Sequence, residues 1–126
     1  MVGVVLVSHS LRLAEGAAEL LGGLAPGVAV RVAAGDTDGG LGTDGDAVAQ
    51  AVLDADSGDG VVVVADLGSA ILSARAVLED AAGAQVRLAD APFLEGAIAA
   101  AVIASVGSPL SDVLEAAEGA WDERKL

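Results

Sequence analysis

The sequence predicts an α/β fold, an open parallel sheet of about four strands with helices on both faces. Three observations carry that expectation. Short runs of branched aliphatic residues recur, too continuous for strands with one wet face. Longer stretches with apolar residues at helical spacing separate them. Each strand-to-helix joint is rich in Gly, Asp, Ser or Thr, the residues that turn a chain or cap a helix. For the order β-α-β-α-β-α-β-α-α, one solution dominates: a parallel sheet with right-handed crossovers.

Val2 to Val7 reads as a buried strand. Leu13, Ala17, Leu20, Leu21 and Leu24 then line one face of a helix over Leu11 to Leu24, which Ala25-Pro26-Gly27 stops. Val28 to Ala34 is the second strand. Gly35 to Thr43 is too glycine-rich for regular structure, and Thr43 is placed to cap the next helix, with Asp44 and Asp46 in its first turn. Val48, Ala51, Val52 and Ala55 give that helix its inner face, and Asp56 to Gly60 turns the chain. Val61 to Ala65 is the third strand. Ser69 is placed to cap a helix whose face is Ala70, Ala74, Val77, Leu78 and Ala81, ended by Gly83. Gln85 to Leu88 is the fourth strand. Pro92 suits a first helical turn, and Leu94, Ala97, Ile98, Ala101, Val102 and Ser105 fall on one stripe. After Gly107-Ser108-Pro109, a last helix carries Leu110, Val113, Leu114, Ala117 and Trp121. Trp121 reads as an apolar cover at an edge or interface, and Asp122 to Leu126 as a frayed polar tail.

The 126 residues are expected to form a single domain. Apolar residues make up 54%, largely alanine and valine, and Phe93 and Trp121 are the only aromatics, so the core must come from small aliphatics packed tightly. A net charge of -13 argues against nucleic acid and anionic membranes and is compatible with a basic protein partner. Any phosphate site must therefore rest on local backbone donors. With no cysteine there is neither a disulfide framework nor thiolate chemistry. Val2 to Val7 and Ala97 to Val106 are too short to span a membrane, and a cytoplasmic location is expected.

In a doubly wound sheet the four β-to-α joints share one edge. That gathers His9, the Gly35–Thr43 loop, Asp66 to Ser69 and Asp90 to Pro92. His9 is the only histidine and the natural candidate for proton transfer or nucleophilic attack near neutral pH. Asp66, first after the third strand, can hold one ring nitrogen and leave the other as nucleophile. Phosphoryl oxygens would find donors among Ser10, Gly35, Thr37, Thr43, Gly68 and Ser69. Leu11, Arg12, Leu67, Leu72 and Phe93 are candidates for a docking rim around His9. Each has a plainer reading beside it: a surface-loop histidine, a helix-capping Asp66, a mobile glycine loop, and solvated charge at Asp36, Asp38 and Asp44. The three loop aspartates also leave a divalent cation open without fixing a coordination pattern. A single histidine gives no zinc cluster, so no metal site is assigned. Neither G-x-x-x-x-G-K-S/T nor G-x-G-x-x-G occurs.

Four stretches carry a resemblance: V-S-H-S-L-R-L-A-E-G from Val7, A-A-G-D-T-D-G-G-L-G-T-D from Ala33, D-L-G-S-A-I-L-S-A from Asp66 and D-A-P-F-L-E-G-A from Asp90. Together they resemble the mannose-type EIIA family of the bacterial phosphoenolpyruvate-dependent phosphotransferase system, and within it the DhaM branch serving dihydroxyacetone kinase. The resemblance implies that His9 is phosphorylated by the phosphocarrier HPr and that Asp66 orients it. It implies onward transfer to ADP held on the DhaL subunit, the ATP formed then phosphorylating dihydroxyacetone on DhaK. Phosphoenolpyruvate is the implied ultimate donor, with no cofactor bound tightly to this chain. A homodimer is implied too. The alternatives are the EIIA component of a mannose-type sugar permease, or a regulatory or binding module that uses His9 without catalysis.

Overall fold

The computed structural model describes residues 1–36, 38–80 and 85–126, Asp80 by its backbone alone. Thr37, Ala81 and Gly83, which the sequence reading assigned to the site, a helix face and a helix end, lie outside the described residues.

The elements are β1 (Gly3–Ser8), α1 (Leu11–Leu24), β2 (Val30–Ala34), α2 (Gly45–Ala55), β3 (Val61–Ala65), α3 (Gly68–Asp80), β4 (Val86–Leu88), α4 (Phe93–Ser105) and α5 (Leu110–Gly119), then a single 3₁₀ turn at Ala120–Asp122. The strands form one parallel sheet in the order β2-β1-β3-β4. The chain first winds outward from β1 to β2, then crosses back to β3 and β4. The direction therefore reverses between β1 and β3, and a crevice opens beyond their carboxyl ends.

Alternation along the central strands sends side chains to both faces. Val4 and Leu6 of β1, with Val62 and Val64 of β3, pack on one face against Ala17, Leu21, Ala97, Ala101 and Val113 of α1, α4 and α5. Val5, Val7, Val61 and Val63 pack on the other against Val48, Val52, Ala70 and Ala74 of α2 and α3. Burying both faces explains the unbroken aliphatic runs.

Several local expectations are corrected. The cap of α2 is Asp44, whose carboxylate accepts from the Asp46 N–H at 3.0 Å, rather than Thr43. Ser69 lies inside α3, so its hydroxyl is free for a tertiary partner. Pro92 precedes the first turn of α4 as its N-cap. The buried face of α1 is Ala14, Ala17 and Leu21; Leu13, Leu20 and Leu24 are exposed. In α4 the buried face is Gly96, Ala97, Ala100, Ala101 and Ala104, which leaves Leu94, Val102 and Ser105 outside. Small residues win both inner faces because they let the helix axis approach the sheet and its neighbours. Gly96 shows the limit, since a Cβ there would sit 2.6 Å from the Ala91 Cβ.

Trp121 is in the 3₁₀ turn, not in α5, and is exposed. Its indole N–H donates to the Asp90 carbonyl at 3.0 Å, and the Asp90 N–H donates to Glu118 at 3.0 Å, so the end of the chain holds the β4–α4 joint. The two edge strands share a device. Arg31 on β2 and Arg87 on β4 are exposed, and each folds back to donate to the carbonyl of the residue before it, at 3.0 Å in both cases.

Candidate functional site

The site begins with strand register. Val7 of β1 lies beside Ala65 of β3, and the Asp66 N–H continues the ladder to the Val7 carbonyl at 3.1 Å. Asp66 thereby comes out at the level of Ser8 and His9, where the two central strands end.

Asp66 is the organising group. Its Oδ2 accepts from the Ser8 hydroxyl at 2.8 Å and from the His9 backbone N–H at 3.0 Å. Its Oδ1 lies 3.0 Å from His9 Nδ1. Ser8 is fully buried, and its Oγ in turn accepts from the Ser10 N–H at 3.1 Å. The Asp66 side chain is only 10% exposed, against 24% for His9. Burial pushes the Asp66 carboxyl up, but the hydrogen bonds from the His9 ring, the His9 backbone and Ser8, with the charge of His9, outweigh it and hold the group below its ordinary value. Near neutral pH Asp66 is ionised and can only accept. His9 Nδ1 must then carry a proton, which leaves the lone pair of the neutral ring on Nε2.

Nε2 faces Ser69. The Ser69 Oγ lies 2.6 Å away, and in this tautomer the hydroxyl donates to the ring. Ser69 is the second residue of α3, where the first N–H groups of a helix have no partner within it and carry partial positive charge. Ser73, one turn on, donates to the Ser69 carbonyl at 3.2 Å, and its Oγ pairs with Thr43 Oγ1 at 2.9 Å. The α3 start is thus tied to the glycine loop. Ser73 was missed in the sequence; its spacing of four from Ser69 is the signal that points to it.

The structure sorts the other candidates. The Ser10 side chain caps α1, accepting from Leu13 N–H at 3.3 Å, and its hydroxyl proton remains available. The Gly35 N–H is taken by the Ser8 carbonyl at 3.2 Å, so it serves the loop rather than a ligand. The Gly42 N–H donates to the His9 carbonyl at 3.0 Å and locks the loop beside His9. Asp36 is not simply solvated. Its Oδ1 accepts from the Asp38 and Gly40 N–H groups at 3.0 and 2.8 Å and shapes the loop from within. Gly68 opens α3 with its N–H free of a helix partner. Leu11, Leu67 and Leu72 are exposed, and Phe93 lines a shallow groove with Arg12, Leu13, Leu20 and Leu94. Leu13 and Leu20 enlarge the apolar rim because they turn outward. Asp90 goes to Glu118 and Trp121 rather than to His9.

A carboxylate-fixed imidazole with an accessible second nitrogen, beside a helix N-terminus, can take up and release an electrophilic group. Comparison with known proteins gives the family. The sequence pattern of the EIIA-man family, described as the PTS system fructose IIA component, matches residues 3–114. The chain is 40% identical over 121 residues to the "PEP-dependent dihydroxyacetone kinase, phosphoryl donor subunit DhaM" of Escherichia coli strain K12, covering 90% of this chain and 26% of that protein. A protein of the same name from Klebsiella michiganensis is 38% identical, with all of this chain covered and 28% of the relative. The chain thus spans about a quarter of the length of those two relatives. The DhaM subunit of the second such kinase of Listeria innocua is 33% identical, with 91% of this chain and 95% of the relative covered. Among solved structures, the protein EF1359, of unknown function, superposes with a TM-score of 0.82 at 32% identity and 94% coverage of both chains. The dihydroxyacetone kinase of C. freundii shares the fold alone, with a TM-score of 0.69 at 18% identity, covering 93% of this chain and 24% of that one. The chain belongs to the EIIA-man family of the phosphotransferase system, and within it to the branch of the DhaM subunits.

Proposed function

We propose that the chain is a phosphoryl-relay subunit that takes a phosphoryl group from phospho-HPr on His9 and passes it to ADP on a DhaL subunit for phosphorylation of dihydroxyacetone. The observation that carries this reading is the pair of contacts on one imidazole, Asp66 on Nδ1 and Ser69 on Nε2. In the first step Nε2 attacks the phosphorus in line, its new bond forming as the donor's P–N bond breaks. Asp66 balances the positive charge of the phosphorylated ring. The Ser69 hydroxyl leaves the nitrogen and donates to a phosphoryl oxygen, joined by the N–H groups of Gly68 and Ser69 and by the Ser10 hydroxyl. Thr43 acts through Ser73. In the second step a β-phosphate oxygen of ADP displaces Nε2, the electron pair returns to the ring, and ATP forms.

Leu11, Arg12, Leu67, Leu72 and Phe93 form the docking rim in this reading. The names of the relatives, phosphoryl donor subunits of a PEP-dependent dihydroxyacetone kinase, support such a kinase as the destination and phosphoenolpyruvate as the ultimate donor, with DhaL and DhaK the downstream partners in this reading. A homodimer and a cytoplasmic location complete the proposal; no helix among the described residues is long and apolar enough to cross a membrane. The family description, a fructose IIA component, keeps a sugar-permease partner as the second reading.

The test is intact-mass analysis after incubation with phosphoenolpyruvate, enzyme I and HPr, on wild type and His9→Gln. One acid-labile phosphoryl group on wild type alone, discharged by DhaL with ADP, is the expected result. Charging without that discharge gives the chain to a sugar permease. No charging with active HPr from the same organism leaves a binding or sensing role.

A further inference from the structure

The groove between α4 and α5 lies apart from the hydrogen-bonded groups at His9 and encloses about 840 Å³. Its floor is apolar, with Ile98, Val102 and Ile103 from α4 and Ala116 from α5. The floor exists because α4 is apolar around its circumference. Its alanines are spent on the core, and Val102 is left 41% exposed. Its rim is acidic: Glu95 on α4, Asp112 and Glu115 on α5, and Glu123 beyond the 3₁₀ turn. Lys125, 3.4 Å from Glu95, is the one cation paired with this rim among the described residues. That pair, with the backbone of Glu95 as the larger cause, holds the Glu95 carboxyl below its ordinary value.

We propose that this groove docks a basic amphipathic helix of a partner protein. The apolar stripe of that helix lies along the floor, and its lysines or arginines meet the rim carboxylates. Charge complementarity selects this occupant. A second copy would bring the same four carboxylates against these four, within a chain of net charge -13. Anionic lipid and nucleic acid are repelled for the same reason. The span also fits: α4 has 13 residues, a wall of about 20 Å that accommodates three to four turns of a partner helix. This inference does not rest on the relay reading, since neither His9 nor Asp66 takes part.

The probe is a synthetic helical peptide of about 14 residues, roughly four turns, with a leucine stripe flanked by lysines. The control is a peptide of the same composition, scrambled so that the two residue types no longer segregate. Backbone amide shifts are followed during titration. The expected result is a set of changes at Ile98, Val102, Ala116 and their neighbours, with binding weakened by added salt. The scrambled peptide and the Asp112→Lys/Glu115→Lys variant should each bind at least ~10-fold more weakly, the variant keeping its circular dichroism. Shifts centred on His9, equal binding of the scrambled peptide, or an indifferent double variant overturn the proposal. So does concentration-dependent dimerisation abolished by the same two substitutions, which assigns the groove to a second copy.

Discussion

At the scale of single residues, the site turns on which nitrogen of His9 holds the proton. Asp66→Asn tests this. An amide can donate to Nδ1 and pull the proton to Nε2, so phosphoryl transfer should fall by about 10³ to 10⁴-fold, the scale of a wrong tautomer in other carboxylate–histidine pairs. Nitrogen-15 spectra of the ring should show Nδ1–H in wild type and lose it in the variant. The same substitution has an acid signature. Because the folded Asp66 is held below its ordinary 3.8, its ionised form adds stability above that pH, and the gain is lost as pH falls through the lower folded value. Acid unfolding curves of wild type and Asp66→Asn should therefore stay apart down to the ordinary 3.8 and converge only as pH falls from there through the lower folded value. Ser69→Ala removes the hydroxyl on Nε2. Transfer should slow by about 10- to 100-fold, at or below the usual cost of one lost oxyanion donor because Ser69 is solvent-accessible; an unchanged rate in a rapid-quench assay would remove Ser69 from the reaction. The positions of His9 and Asp66 at one sheet edge were legible in sequence because Asp66 directly follows the aliphatic β3, and His9 follows the aliphatic run of β1 with only Ser8 between. The destination of the Ser69 hydroxyl was not, since a serine just before a helical run looks the same whether it caps the helix or sits inside its first turn.

At the scale of elements, alanine sets the packing. The approach of α4 to its neighbours depends on Gly96, where a Cβ meets Ala91 and comes within 3.3 Å of the Ala117 carbonyl. Gly96→Val should cost about 1 to 3 kcal/mol, the usual penalty of overpacking, read as a fall in the urea midpoint. Gly16, also preceded by a glutamate within a helix, has open space around it and should tolerate alanine. The strands could be read from sequence because a buried parallel strand needs little beyond a valine run between turns. The helix faces were harder. Leucine outweighs alanine in any apolar count, so Leu13 and Leu20 drew the inferred face of α1 away from Ala14. In α4 nearly every position is apolar, and no period singles out the alanine stripe that is buried. Side-chain size, which decides how near two helices come, is invisible to a count of apolar positions.

At the scale of the whole molecule, charge sets how partners arrive. With -13 overall, and Arg12 as the one basic side chain lining the groove at Phe93 among the described residues, encounter with a basic donor, as the relay reading has it, would be steered by a long-range field. The second-order rate of charging by phospho-HPr should fall several-fold between about 0.01 and 0.15 M ionic strength as the screening length shrinks. A salt-independent rate in stopped-flow or quenched assays would mean that apolar contact governs the encounter. The folded-back arginines bear on a different hazard. A sheet open at both edges offers two rows of backbone groups to any passing strand, and here the strands that own those rows are only five and three residues long. Arg31 and Arg87 each bring a charge to one row and occupy one of its carbonyls. In a crowded cell, where newly made copies meet before they finish folding, one arginine per edge makes strand-to-strand stacking into fibrils electrostatically unfavourable at every added layer.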